Sequence, residues 1–408
     1  MKIVQDHKDV IKIGRNSSVI IWGAGKLGTE LMCRLNSEEF FNYYVSDTDS
    51  EVKKRICNYI APEDIIDIFK HQCISVILAV RSDDVIKNIK DQIDLLLGSA
   101  DCNVEIFRYI PESVEEMVAR RKEQGFFDGC RYRKTLEDSK AVNVLMSMIT
   151  GSKPFLFARW GTIEGEVIYK MKVGVQPSTE DRLRLKQNAG VFPVTDNVIK
   201  SYYEIMTNAA AEIDILCVFY WQCHLEKWIE WYSHNAIMVS SALEYPFFSI
   251  PWTKVLEGMK VLVIHPFASL IREQYKNRDR LFSNCDVLPE FELITYQAVQ
   301  SLGGNDMYED WMQALNVMQD DISKIDFDIC LIGCGAYGMP LGAFVKSKLH
   351  KKAIHMGGSL QLLFGIKGKR WESNGYDYQH KLYNEYWVRP TDDLKPQNYK
   401  DVENGCYW

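Results

Sequence analysis

The feature that most restricts this chain is an alternation of short apolar runs with helical ones, separated by glycine turns, that begins twice. Near the start, SVIIW (18–22) meets the turn GAGKLG, and the amphipathic stretch TELMCRLN follows. Further apolar runs stand at YYVSD (43–47), ISVILAV (74–80) and NVEIFRY (103–109). The alternation restarts with PFLFA (154–158), DILCVF (214–219), KVLVIH (260–265), FELITY (291–296), FDICLIG (327–333) and KAIHM (352–356). Helical patterns such as DNVIKSYYEIMTNAAAEI and MYEDWMQALNVMQDDI fall between them. Repeated βα units require parallel sheets with helices on both faces. The expected fold is therefore α/β, with two Rossmann-like domains whose sheets are mainly parallel, joined by a helical connector. Its divisions are a domain over 1–110, a charged helical connector over 111–150, a second α/β domain over 151–375, and an aromatic-rich tail over 376–408 packed on that domain.

A length of 408 residues suits more than one core. The formal charge of −7 argues against a generic nucleic-acid or anionic-membrane binder. Glycines and a proline interrupt the longest uncharged run, Ile329–Val345, so no transmembrane segment is expected. No secretion signal is read at the N-terminus. The eleven cysteines form no C-x-x-C pair and no zinc spacing, and Cys73, Cys217 and Cys330 sit in apolar strands as reduced thiols. A cytoplasmic location is the corresponding expectation; the oligomeric state stays open. G-x-S-x-G, Walker A and paired-histidine metal motifs are absent from the sequence.

Four segments carry candidate chemistry. Gly23, Gly25 and Gly28 form G-x-G-x-x-G between strand and helix, and Asp47 ends the next strand where a ribose-binding acid would stand. NAD(P) is the cofactor such a turn would hold, and a structural turn is its plain alternative. GCGAYG repeats the pattern at Gly333, Gly335 and Gly338, with Tyr337 inside it. Gly357 and Gly358 follow the next strand, with Gln361 in the helix after them and Lys367, Lys369 and Arg370 close behind. Two glycine turns at successive strand ends beside cations make a crevice for a diphosphate. His265 ends its strand, and Arg272, Lys276 and Arg280 share one face of the helix that follows. Finally, RWGTIEGEVIYKMK (159–172) opens a helix with Glu164 and Glu166. Residues two apart lie about 200° apart around a helix, so the two glutamates cannot face one ligand. Glu166 is set to pair with Lys170, whereas Glu164 shares its face with Val167, Ile168 and Met171 and points inward.

From about residue 150 onward the chain resembles the GT-D-type glycosyltransferase family of bacterial surface polysaccharide and glycoprotein assembly. FARWGTIEGE, VLVIHPFASLIREQY, GCGAYGMPLGAF, AIHMGGSLQLLFGIKGKRW and the final GCYW carry the resemblance. Residues 1–110 are similar to small Rossmann-like domains fused to carbohydrate-assembly enzymes. The resemblance implies transfer of a sugar from a nucleotide-sugar donor, commonly UDP-linked, to a glycan or glycoconjugate acceptor. It also implies an Arg-Phe-Gly-Asp-Gly-Glu segment whose Asp-x-Glu pair is associated with a divalent metal, Mn or Mg. Arg159 and Gly161 match that segment and Glu164 matches its glutamate, but Thr162 stands where the family has the aspartate. Glu164 is accordingly the expected catalytic acid or metal ligand, with Arg159 orienting it or contacting phosphate. Gly161, Thr162, His265, Arg272 and the glycine-turn and cationic residues above are expected on the substrate. Trp221, Trp228 and Trp231 are the aromatics available for stacking on a sugar.

Overall fold

The structure, a computed structural model, describes residues 1–54, 56–70, 72–97, 103–124, 135–305, 307–372, 378–396 and 398–408. Its fold is α/β. Five strands, β1 (Lys2–Val4), β2 (Ser18–Trp22), β3 (Tyr43–Ser46), β4 (Cys73–Leu78) and β5 (Asn103–Tyr109), form one sheet in the order β1-β5-β4-β2-β3. Seven more form a second: β6 (Leu156–Arg159), β7 (Ile215–Val218), β8 (Ile237–Ser240), β9 (Lys260–His265), β10 (Glu292–Gln297), β11 (Ile329–Ile332) and β12 (Lys352–His355). Their order is β10-β9-β11-β12-β6-β7-β8, and every pairing in both sheets is parallel. The expected runs all became strands. Two strands were not anticipated, β1 and β8; each is an edge strand of three or four residues, too short to show a period.

The chain divides into two compact units, Met1–Ala119 with Tyr169–Gln176, and Arg120–Ile168 with Pro177–Trp408. The helix Thr162–Lys172 thus begins in the second unit and ends in the first. Tyr169 donates from its hydroxyl to the Cys33 carbonyl at 3.1 Å, inside the first unit. Of the expected connector, helices Val114–Gln124 and Asp138–Thr150 are seen, while 125–134 lies outside the described residues. No helix among the described residues is long and apolar enough to cross a membrane.

Apolar layers cover both faces of the five-stranded sheet, as a parallel sheet requires. In the seven-stranded unit one cluster runs from Leu145 and Phe157 through Val261, Leu331 and Ile354 to the tail residues Trp387, Val402, Cys406 and Trp408. The tail therefore supplies core side chains to this unit. Cys217 and Cys330 are buried in it, whereas Cys73, at the exposed start of β4, is not buried.

Gly23 has φ +106° and packs on Ala79 and Val80 at the end of β4. A Cβ on Gly28 would lie 1.8 Å from the Gly23 carbonyl oxygen, so helix and turn touch backbone to backbone. At Gly25 a Cβ would meet nothing within 4 Å. Gly28→Ala is expected to destabilise the protein by about 2–4 kcal/mol and Gly25→Ala by less than about 1 kcal/mol. Urea unfolding of the two variants checks the contrast.

Candidate active site

In the seven-stranded sheet the connection leaving β9 runs outward to β10, while the one leaving β11 runs the other way to β12. Adjacent strands whose connections diverge leave a crevice beyond their carboxyl ends, the usual ligand position in such sheets. A cavity of about 480 Å³ opens there, within the range of small-molecule sites. Segments far apart in sequence line it: Arg159, Gly161–Glu164, Asn188, Trp221, His265–Phe267, Gln300–Leu302, Gly333–Gly335, His355, Gly357, Gly358, Gln361, Arg370, Glu403, Tyr407 and Trp408.

One group of these side chains is charged. Arg159 closes β6, and its guanidinium lies 4.7 Å over the Phe219 ring. Its Nε stands 3.4 Å from Glu244 Oε1 yet has no hydrogen-bond partner among the described residues. A Cβ on Gly357 would come within 2.6 Å of Arg159 Nη1, so this glycine (φ +65°) leaves room for the guanidinium. Glu164 sits in the first turn of its helix, where Gly161 accepts the first helical hydrogen bond from Gly165 N–H at 2.9 Å. The Glu164 carboxylate folds back over Gly161, where any Cβ would collide with it at 2.0 Å. Burial pushes its pKa up, opposed by its own backbone N–H and by Arg159. Glu166 pairs with Arg184 of helix Thr179–Arg184 at 3.1 Å. Of the expected inward stripe beneath Glu164, Val167 and Ile168 are buried and Met171 is half-buried. Arg370 is held by the tail: it donates to Glu403 Oε2 at 2.5 Å and to the Tyr407 hydroxyl at 3.1 Å, and lies 4.6 Å over the Tyr407 ring.

The other lining groups are neutral and polar. His265 Nδ1 accepts from Phe267 N–H at 2.9 Å, which leaves Nε2–H as its available donor. Burial lowers its pKa to about 3, and burial followed by the Arg159 charge does the same to His355. Both imidazoles are neutral at pH 7. Among the described residues, Asn188 Oδ1 is buried without a hydrogen-bond partner. Such an orphan on a cavity wall takes its partner from water or a ligand. Ser301 donates to the Gly190 carbonyl at 2.8 Å, and Gly335 (φ +58°) brings its turn against Ala189 and Leu302.

The sequence-expected residues divide accordingly. Arg159, Gly161, Thr162, Glu164, His265, Gly333, Gly335, Gly357, Gly358, Gln361 and Arg370 line the cavity. Arg272 is not among the lining residues and donates to Thr295 Oγ1 at 2.7 Å. Tyr337 is buried and stacked 5.2 Å from Trp311, and Gly338 lies against the His355 ring, 2.2 Å from Nδ1 if it carried a Cβ. The expected cationic cluster does not assemble. Trp371 turns into the core, Lys367 sits 5.4 Å over the Tyr383 ring, and Lys369 donates to the Asn404 carbonyl at 3.3 Å. Trp221 is on the cavity wall, Trp228 is fully buried against Trp160 at 5.8 Å, and Trp231 pairs with Lys227 at 5.9 Å. In the five-stranded unit, Asp47 accepts from Ala24 N–H at 2.6 Å and from Asp49 N–H at 2.9 Å. The acid expected on a ribose is thus bonded to the backbone of the glycine turn itself. Sequence reasoning passed over Glu244, Asn188, Gln300, Ser301, Glu403 and His355. His355 alone had a signal, since AIHMG repeats the strand-end histidine of VIHPF.

No family model matches the chain, and no curated protein matches it. A solved structure described as selenomethionine-substituted domain of unknown function 1792 aligns with 68% of this chain and 99% of its own, at 11% identity and a TM-score of 0.37. The chemistry is therefore read from the cavity itself. No three His, Cys, Asp or Glu side chains gather among the described residues into a cage that could hold a metal by itself, and Glu164, the expected metal ligand, faces the Arg159 charge.

The buried histidines have a pH signature. The unfolded chain protonates histidine near 6.5 while the native state does not, so this contribution to stability is complete above about pH 6.5 and falls as pH drops toward 3. Replacing one, His265→Gln, is expected to lessen the acid loss of stability by about 1 kcal/mol per pH unit below 6.5. Denaturant titrations of both proteins between pH 7 and 5 check it; parallel curves would place a charged histidine in the cavity.

Proposed function

We propose that this cavity binds a nucleotide-sugar donor, UDP-linked, and transfers its sugar to a hydroxyl of a glycan or glycoconjugate acceptor, in surface polysaccharide or glycoprotein assembly. What carries the proposal is convergence. The separated segments on which the glycosyltransferase resemblance rests, from FARWGTIEGE to the final GCYW, contribute lining residues to one crevice at a topological switch point.

In this reading Arg159 meets the diphosphate, together with N–H groups at the Gly335 and Gly357 turns, which helix starts leave without intrahelical partners. Arg370 contributes less, because Glu403 already neutralises it. Asn188, Ser301 and His265 receive the nucleoside: Asn188 Oδ1 accepts an N–H or O–H of the ligand, and His265 Nε2–H donates. Trp221 offers a face to a sugar ring. Glu164 is the base. It takes the acceptor hydroxyl's proton while that oxygen bonds to the anomeric carbon, and the anomeric C–O bond to the diphosphate breaks with its electron pair leaving on the diphosphate. A carboxylate raised by burial is better matched to that task near neutral pH than an exposed one. Trp160 and Trp228, packed behind the strand end, keep water from the far side of Arg159 and Glu164.

The test is nucleotide release from a panel of UDP-, GDP- and CDP-sugars in the presence of an acceptor extract. Glu164→Gln should lower turnover by about 10² or more with donor binding kept, while Glu166→Gln stays within about twofold. Equal losses in the two variants would move the base elsewhere. Absence of binding by every donor would overturn the proposal.

A further inference from the structure

Glu244 has no place in the sugar-transfer steps above. It closes the short turn Ser241–Glu244 after β8 and is 1% exposed. Its Oε1 lies 3.4 Å from Arg159 Nε and accepts a long hydrogen bond from Cys217 Sγ at 3.7 Å. Phe219 and Gly357 confine the same guanidinium from two other directions. Arg159 is thus set in a slot with a carboxylate behind it, while the residue itself lines the cavity. Isolated carboxylates are costly to bury, and simple packing here would be served as well by an uncharged side chain.

Resting on the reading of this cavity as a diphosphate site, we propose that Glu244 is the positioning residue for Arg159, and that its proton sets how much of the Arg159 charge is available to an anionic ligand. The groups facing it are few. Arg159 comes from β6, Cys217 from β7 and, further off, Arg370 from the turn Lys369–Glu372; helix Asp138–Thr150, packed on the same turn, presents Asp138, which accepts from Ser240 Oγ at 2.7 Å. Burial pushes Glu244 up to about 7, against the opposing pull of Arg159. Above that pH Glu244 is ionised and neutralises Arg159. Below it Glu244 is protonated and the guanidinium's charge acts on the ligand.

The experiment measures dissociation constants of UDP and of inorganic pyrophosphate for the wild type and Glu244→Gln by calorimetry from pH 6 to 8.5. Ligand ionisation cancels in the ratio of wild-type to variant constants. That ratio is expected to climb from about one at pH 6 to about tenfold at pH 8.5. A ratio that does not change with pH would overturn the proposal, because a merely structural glutamate would shift both ends alike. A second measurement needs no folded variant at Glu244. The Arg159 Nε–H resonance of the wild type, assigned by its loss in Arg159→Lys, should titrate with a midpoint near 7, and a flat resonance would contradict the coupling. Should neither probe bind either protein at any pH, the diphosphate reading falls, and the Arg159 resonance alone decides whether Glu244 governs it.

Discussion

All seven strands of the larger sheet run in one direction, and this single constraint determines where its chemistry gathers. Parallel strands place every carboxyl end, and the start of every following helix, along one edge. Connections that diverge between β9 and β11 keep that edge open in the middle. Arg159, His265, Gly333 and His355 share the cavity because each stands at or just past the end of a strand, although as many as 196 positions separate them in a chain of 408. The glycines follow from the crowding. Gly161 yields to the Glu164 carboxylate, Gly357 to Arg159, Gly338 to His355 and Gly358 to Tyr407.

Within the cavity, burial sets the charge states. It keeps two histidines neutral and raises two glutamates, Glu164 on the wall and Glu244 behind it. The cations are treated unequally. Arg370 is tied to the tail through Glu403 and Tyr407, and Arg159 is backed by the shared, titratable charge of Glu244. A site of this kind has little fixed net charge and relies on placed donors.

Much of the fold was legible because parallel strands buried on both faces leave unbroken apolar runs between glycine turns. The edge strands β1 and β8 were not, being too short to carry a period. The cavity was half legible. Strand-end residues can be located once strands are recognised, which is how Arg159, Glu164 and His265 came to notice. Asn188, Gln300 and Ser301 sit on loops whose course depends on the whole tertiary structure, and Glu244 reaches Arg159 from a turn 85 residues away. Lys367 and Lys369 misled for a related reason: their charge was visible, but their contacts with Tyr383 and the Asn404 carbonyl were not. Asp47 was legible as a strand-end acid, but its bond to the Ala24 N–H of the glycine turn was not.

The measurement that tests the central claim most directly is diffraction from crystals soaked with UDP. The expected result is nucleotide density in the cavity of the seven-stranded unit, with diphosphate oxygens on Arg159 and the nucleoside against Asn188 and Ser301. Density at the Gly23–Gly28 turn with the cavity empty would contradict it, as would a cavity that stays empty at saturating nucleotide.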